Sequence, residues 1–236
     1  MEMSRNYIDF ISAYCDGWCE RCAFTERCSN FAVQSAIGMC DGDFGAAIEL
    51  AVGPAVEPGR ERQKTIGERM MSFLMDHEPT GQELEQIGRE MKERTQRLDR
   101  HRLAEASLDY MVASRRWLEA HESVADGAAP AVCEAIRVIR WDVHLIHVKI
   151  VRALTGRDED PRGSLWDGSP VQNDWNGSAK VALISIERSE RAWRVIAAET
   201  GDDAAAVLAG SLTTLRAGVS RDFPRAMEFR RPGFDG

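Results

Sequence analysis

Four cysteines lie close together near the N-terminus, at Cys15, Cys19, Cys22 and Cys28. Their spacing is C-x3-C-x2-C-x5-C, and thiolates at this density are typical of a metal centre or an iron–sulfur cluster. A straight helix would point Cys28 away from the other three, so a shared centre requires the chain to bend. Gly17 permits a bend between the first two cysteines, and we expect Thr25 to cap a helix between the last two.

The spacing is asymmetric, because one C-x2-C pair has a further cysteine on each side. Tetrahedral zinc sites usually combine two such pairs, whereas iron–sulfur clusters are held by four thiolates in less regular patterns. We therefore expect an iron–sulfur cluster of the [4Fe-4S] type, with zinc and plain reduced cysteines as the alternatives. Trp18 and Phe24 would exclude water from the centre, and Arg21 and Arg27 would offset its negative charge.

Two further cysteines stand outside this cluster, at Cys40 and Cys133. Cys40 is a fifth candidate ligand that would replace Cys15. A buried structural position is the more common one for a free cysteine, and we expect it for both residues.

Two resemblances involve this segment. The C-x2-C-x5-C part, from Cys19 to Cys28, is similar in spacing to the WhiB-like actinobacterial regulators, which hold a [4Fe-4S] cluster. The glycine turn and basic tail of that family are missing, so its DNA-binding role is not implied. The cysteine segment, together with Asn-Gly-Ser-Ala-Lys-Val-Ala-Leu at residues 176–183, resembles a family of uncharacterised bacterial helical proteins, and this resemblance implies no activity.

Length and charge limit the classes of function. The chain has 236 residues, 44% of them hydrophobic, and a net charge of -8 at pH 7. An acidic chain is a poor partner for nucleic acid, since phosphate binding draws on Lys and Arg. The sequence has neither a leader-like apolar start nor an apolar run long enough for a bilayer, so we expect no membrane association and a reducing, cytoplasmic location.

Helical periodicity dominates the sequence, and strand signals are almost absent. Helices are predicted over residues 80–122, 130–156, 178–200 and 202–223; the first begins at a capping box formed by Thr80 and Glu83, and Gly156 ends the second. We expect an all-α protein whose domains are a cysteine-rich segment at 1–60, an antiparallel four-helix bundle at 61–224 and a tail at 225–236. Residues 157–177 form a long connection, read as a loop strapped across the bundle or a lid.

A second candidate site lies inside the predicted bundle. An apolar stripe on the first long helix becomes polar at Glu105 and Asp109 when it is extended at the same period. Facing carboxylates and histidines build metal or acid–base sites in bundles, although an ion-pair network between helices is the alternative. Lys180 is expected on the solvated face of its helix. The interior site would use Glu105, Asp109, Arg140, His144 and His147.

The leading functional hypothesis is an iron–sulfur redox protein that serves electron transfer, redox sensing or cluster-based catalysis. Its partner would be a redox protein or a small-molecule substrate. The alternative is a helical scaffold or interaction protein stapled by zinc. A third hypothesis is an enzyme that uses the interior carboxylate–histidine site.

Overall fold

The computed structural model describes residues 6–53, 80–122, 128–159 and 169–235. Within these ranges the protein is all-helical, as predicted, with seven α-helices, several short 3₁₀ turns and no strand. None of the described helices combines the length and the apolar character that a bilayer span requires.

The chain divides into two compact units. The first contains Met1–Ile8 and Ala23–Arg97, and the second contains Asp9–Cys22 and Leu98–Gly236. This division falls inside the cysteine segment and not at residues 60 and 224. Cys15, Cys19 and Cys22 therefore belong to the second unit, and Cys28 and Cys40 belong to the first.

The first unit holds α1 (Ser29–Ile37), α2 (Phe44–Val52) and most of α3 (Gly81–Asp99). Asp43 caps α2, because its carboxylate accepts a hydrogen bond of 3.0 Å from the backbone N–H of Ala46. The α1 and α2 helices share a small core of four buried residues, Val33, Ala36, Ala47 and Ala51.

The α3 helix begins at the predicted capping box. The backbone N–H of Thr80 donates to the Glu83 carboxylate over 2.8 Å, and the N–H of Glu83 donates back to the Thr80 hydroxyl over 3.3 Å. No residue of α3 is buried. Its start therefore follows from local capping chemistry alone.

The second unit holds the other four described α-helices: α4 (Arg102–Ala120), α5 (Pro130–Glu159), α6 (Asp174–Thr200) and α7 (Asp203–Asp222). The α4 helix packs on α5 and α7, and α6 also packs on α5 and α7. Trp193 lies fully buried at the centre, where its indole N–H donates to the Tyr110 hydroxyl over 3.0 Å. The surrounding core is aliphatic and includes Ile139, Ile146, Ile150, Ile186, Ile196 and Leu212.

The predicted helix over residues 80–122 is two helices. The first ends at Asp99 and the second begins at Arg102. His101 caps the second helix, because its Nδ1 atom accepts a hydrogen bond from the N–H of Leu103 over 3.2 Å. Because neither glycine nor proline lies at this break, the hydrophobic pattern of the sequence predicts one continuous helix across it.

The connection between α5 and α6 is shorter than the predicted 157–177. The α5 helix continues through Gly156 to Glu159, and α6 begins at Asp174 with Asn173 as its cap. Gly156 lies within α5 and does not end it, so that part of the prediction is wrong. Residues 160–168, including Trp166, lie outside the described residues, and the loop-or-lid prediction with them.

The C-terminal residues pack on the second unit and do not fray. Ala226 and Phe229 are buried, and Lys180 beneath them is only 8% exposed. The Lys180 ammonium donates to the carbonyl of Phe229 over 2.6 Å and pairs with Asp235 at 2.7 Å. The prediction that Lys180 lies on a solvated face is therefore wrong, because the last residues of the chain cover that face.

Candidate metal centre

The segment that carries the first three cysteines is bent, as predicted. A 3₁₀ turn at Ile11–Tyr14 is followed by Gly17 in the left-handed region, at φ 72°, and by a second 3₁₀ turn at Cys19–Arg21. Glycine adopts that conformation without steric cost. Thr25 does not cap a helix: it is the first residue of a 3₁₀ turn, Thr25–Arg27, whose N-cap position is Phe24.

Tyr14 fixes the start of this segment to α6. Its side chain is 1% exposed, its ring lies 4.7 Å from that of Phe229, and its hydroxyl donates to Asp174 over 3.1 Å. Burial is the main reason why the pKa of Tyr14 is raised. A Cβ atom at Gly177 would lie 2.3 Å from the Tyr14 ring, so only glycine fits. The cysteine segment and residues 176–183 are thus in direct contact.

Trp18 fixes the middle of the segment to α5. It is 4% exposed and stacks on Trp141, with ring centroids 5.0 Å apart. The Trp141 indole N–H donates to the backbone carbonyl of Asp16 over 2.9 Å. Above Trp18 lies the guanidinium of Arg21, 3.8 Å from the ring centroid, and it also pairs with Glu134. Trp18 therefore packs into the core of the second unit.

A charged anchor joins the segment to two helices. Asp142 on α5 is fully buried, and the Arg188 guanidinium on α6 donates to both of its carboxylate oxygens and, over 2.7 Å, to Asp16. Ser189 adds a hydrogen bond of 3.1 Å to Asp142. Burial raises the pKa of Asp142, although the hydrogen bonds and the positive charge of Arg188 act to lower it. Asp16, between Cys15 and Cys19, is thereby held on a buried ion pair.

Cationic side chains surround the segment. Lys149 is 7% exposed and donates to the carbonyl of Ala13 over 2.9 Å, and Arg152 reaches the same carbonyl at 3.4 Å. Burial is the main cause that lowers the pKa of Lys149, and Arg152 acts in the same direction, whereas Cys15, Asp174 and Asp16 act to raise it. Arg188 and Arg152 have carboxylate partners, whereas Lys149 pairs with none among the described residues.

All six cysteines are partly exposed, so neither Cys40 nor Cys133 has the buried position expected for it. The Cys15 thiol donates to the carbonyl of Ser12 over 3.4 Å and accepts from the N–H of Gly17 over 3.4 Å. Cys28 precedes α1. In the part of the chain that is described, no three or more His, Cys, Asp or Glu side chains are arranged to hold a metal ion.

The predicted interior polar site is not formed in the interior. Glu105, Asp109, Arg140 and His144 are exposed, and only His147 is half-buried. The stripe itself does not face a core, because Leu84, Ile87 and Met91 on α3 are exposed, so its extrapolation to Glu105 and Asp109 was wrong. Asp109 lines a groove between α4 and α7, whereas His147 lines a crevice beside Leu98 and Val151.

Sequence reasoning missed the buried polar groups, chiefly Asp142 and Lys149, and the half-buried Arg188. A signal for Asp142 was present, because it lies three residues after Ile139 and four before Ile146, on the apolar face of its helix. No comparable signal identifies Arg188, since its burial depends on the packing of the cysteine segment.

Comparison with known proteins adds no relative. No family model, curated protein or solved structure matches the chain. Evidence on function therefore comes from the sequence pattern and from the geometry of the second unit.

Proposed function

We propose that the protein is an iron–sulfur redox protein whose cluster is bound by Cys15, Cys19, Cys22 and Cys28. The observation that carries this proposal is the attachment of the first three cysteines. They lie on one short non-helical segment that Tyr14, Trp18 and Asp16 tie to α5 and α6. A metal centre needs ligands on a supported backbone, and this segment has one.

The charges around the segment support the same proposal. Thiolate-bound clusters carry negative charge, and cationic neighbours stabilise them. Arg21, Lys149, Arg152 and Arg188 all contact the segment. Lys149 makes no direct ion pair with a described carboxylate, although Asp174 and Asp16 act on its charge from further away.

Binding would require the thiols to turn toward one centre. Cys15 would give up its contacts with its own turn, which are weak because a thiol is a poor hydrogen-bond donor and acceptor. The spacing of the sequence assigns Cys28 as the fourth ligand, with Cys40 as the alternative to Cys15. The partly exposed cysteines would leave the cluster accessible to a redox partner protein or a small-molecule substrate, which suits electron transfer, redox sensing or catalysis at the cluster.

The fold supplies a stable support for this function. We infer that α4, α5, α6 and α7 form an antiparallel four-helix bundle, because α6 and α7 are joined by two residues and each helix packs on two others. Such a bundle would keep the cysteine segment in place while electrons enter or leave. The proposed location is a reducing cytoplasm, where the thiols stay available for metal.

The proposal is tested by purification without oxygen, followed by measurement of iron, acid-labile sulfide and zinc. We expect brown protein with iron and sulfide in equal amounts and broad visible absorbance. Cys19→Ser and Cys22→Ser should lose both iron and colour. Cys133→Ser is the matched control and should keep them. Colourless wild-type protein that holds stoichiometric zinc would exclude the cluster.

A zinc-stapled scaffold is the second candidate, and the structural role of the segment favours it. Tyr14 and Trp18 are as buried as core residues, which suits a metal that serves to fix a fold. Chelation should then increase amide exchange in the cysteine segment, while the helical signal in circular dichroism persists. Unchanged exchange after complete removal of zinc would exclude this role.

A further inference from the structure

A groove of about 520 Å³ runs between α4 and α7 of the second unit. All of the described residues that line it belong to these two helices. Its apolar lining consists of side chains that are buried in the core and of small residues, namely Leu103, Ala106, Tyr110, Ala113, Leu208, Leu215 and Gly218. The volume lies in the range that small ligands occupy.

Two arginines lie at one end of the groove, where the start of α4 meets the end of α7. Arg102 pairs with Asp222 at 2.5 Å, and the Nε atom of Arg221 lies 3.6 Å from the same carboxylate. The imidazole of His101 is 3.7 Å from it as well. One carboxylate thus serves two guanidinium groups, so it can balance only one of their two positive charges. This end of the groove keeps a positive charge.

The carboxylate of Asp109 lies further along the groove. Asp109 is exposed and lines the groove, and no hydrogen bond or ion pair joins its carboxylate to a described residue. It follows Arg102 by seven residues, which is about 10 Å along the axis of α4. Leu103 and Ala106 lie between them in the sequence and line the groove as well. The groove therefore has a positive end, an apolar stretch and an unpaired negative charge.

We propose that this groove binds a small organic zwitterion whose carboxylate and ammonium groups are separated by an apolar chain, as in an ω-amino acid. The carboxylate would contact Arg102 and Arg221, the ammonium would contact Asp109, and the chain would pack on Leu103 and Leu215. An α-amino acid carries both charges on one carbon and would not reach both ends. A simple anion or cation would pair at one end only and meet a like charge at the other. This site does not depend on the cysteine segment or on a metal.

The first test is methyl NMR of the full chain labelled with ¹³C at alanine, with 6-aminohexanoate as the probe. The methyl signals of Ala106 and Ala113 should move in a saturable way as the probe is added. The signals of Ala47 and Ala51, which are buried between α1 and α2, should stay in place. Signals of Ala106 and Ala113 that do not respond, or an equal response of all four, would overturn the proposal.

The second test compares three probes by calorimetry. Hexanoate and hexylamine each keep one of the two charges of 6-aminohexanoate. The wild type should bind 6-aminohexanoate roughly tenfold or more tightly than either of them, as expected for one additional hydrogen bond between charged groups. Equal affinity for 6-aminohexanoate and for either single-charge probe would overturn the proposal.

The third test assigns each end of the probe to its residue. In Asp109→Asn the preference for 6-aminohexanoate over hexanoate should disappear, and in Arg221→Gln the preference over hexylamine should fall. Glu105→Gln is the matched control, because it removes a carboxylate from the same helix outside the groove, and it should keep both preferences. All three side chains are exposed, so the variants should fold as the wild type does. A preference over hexanoate that survives in Asp109→Asn, or that is lost in Glu105→Gln, would overturn the proposal.

Discussion

The cysteines on the two sides of the unit boundary have very different support. Cys15, Cys19 and Cys22 flank Trp18, which belongs to the large core around Trp193. Cys28 and Cys40 belong to a unit in which α1 and α2 share four small buried side chains. Stabilisation grows with buried apolar area. We therefore expect the backbone that carries the first three cysteines to keep its conformation without a bound metal.

The two units therefore differ in how much they contribute to the stability of the protein. The second unit supplies the stability, and the α1–α2 pair of the first unit has too little buried surface to supply much. A ligand that binds only the folded form stabilises that form. The first unit is therefore the region whose order should depend most on metal.

The largest expected effect comes from the buried anchor of the second unit. Asp142→Ala leaves Arg188 without its main partner and should lower the free energy of unfolding by about 3–5 kcal/mol. Urea unfolding measures it. Glu187→Ala breaks an exposed ion pair with Arg191 on the same helix and should cost less than about 0.5 kcal/mol. Similar losses in the two variants would contradict the importance of the anchor.

The second prediction concerns the core at high pH. Burial raises the pKa of Tyr110 to about 12, so the folded state keeps a proton that the unfolded state loses above about pH 10. Stability should therefore be complete below pH 10 and fall by about 2–3 kcal/mol as the pH rises to about 12. The Tyr110→Phe variant should not show this loss of stability at high pH, because phenylalanine has no hydroxyl proton to lose. A variant with the same alkaline profile as the wild type would show that Tyr110 is not the group responsible.

The third prediction tests the contact between the cysteine segment and α6. Gly177→Ala places a methyl group against the Tyr14 ring and should destabilise the protein by about 1–3 kcal/mol. Gly210→Ala is the control, because its Cβ meets no atom within 4 Å and should stabilise α7 by about 0.5–1 kcal/mol. The sign of the change in urea midpoint separates the two variants. A stabilising Gly177→Ala would mean that Tyr14 does not pack there.

The smallest effect should appear in the first unit. Asp43→Ala removes the cap of α2 and should cost about 1 kcal/mol. Amide exchange should become faster in α2, while the amides of α6 keep their protection. Equal acceleration of amide exchange in α2 and α6 would show that the two units unfold together. That result would contradict the expected difference in stability between them.

Local signals predicted most of the helices, and tertiary contacts account for the errors. The capping box at Thr80 and the end of the helix predicted over residues 178–200 follow from local signals, and both are confirmed. The break at His101 was missed because a polar residue caps α4 without any glycine or proline signal. The burial of Lys180 was missed because it depends on a segment some fifty residues later in the chain.

The candidate site divides in the same way. Gly17 was predicted from the need for a bend, and its left-handed φ confirms that reasoning. The carboxylates Glu105 and Asp109 were placed by extending a period through a break, and they are exposed. Asp142 could have been found from its place among the isoleucines of α5. That the four thiols converge on one metal centre remains a prediction from the cysteine spacing.

Electron paramagnetic resonance of dithionite-reduced, oxygen-protected protein tests the central claim most directly. The account predicts a signal of a reduced iron–sulfur cluster that is present in the wild type and in Cys133→Ser and absent in Cys22→Ser. A silent spectrum from protein shown to hold zinc, or a signal that survives in Cys22→Ser, would contradict it.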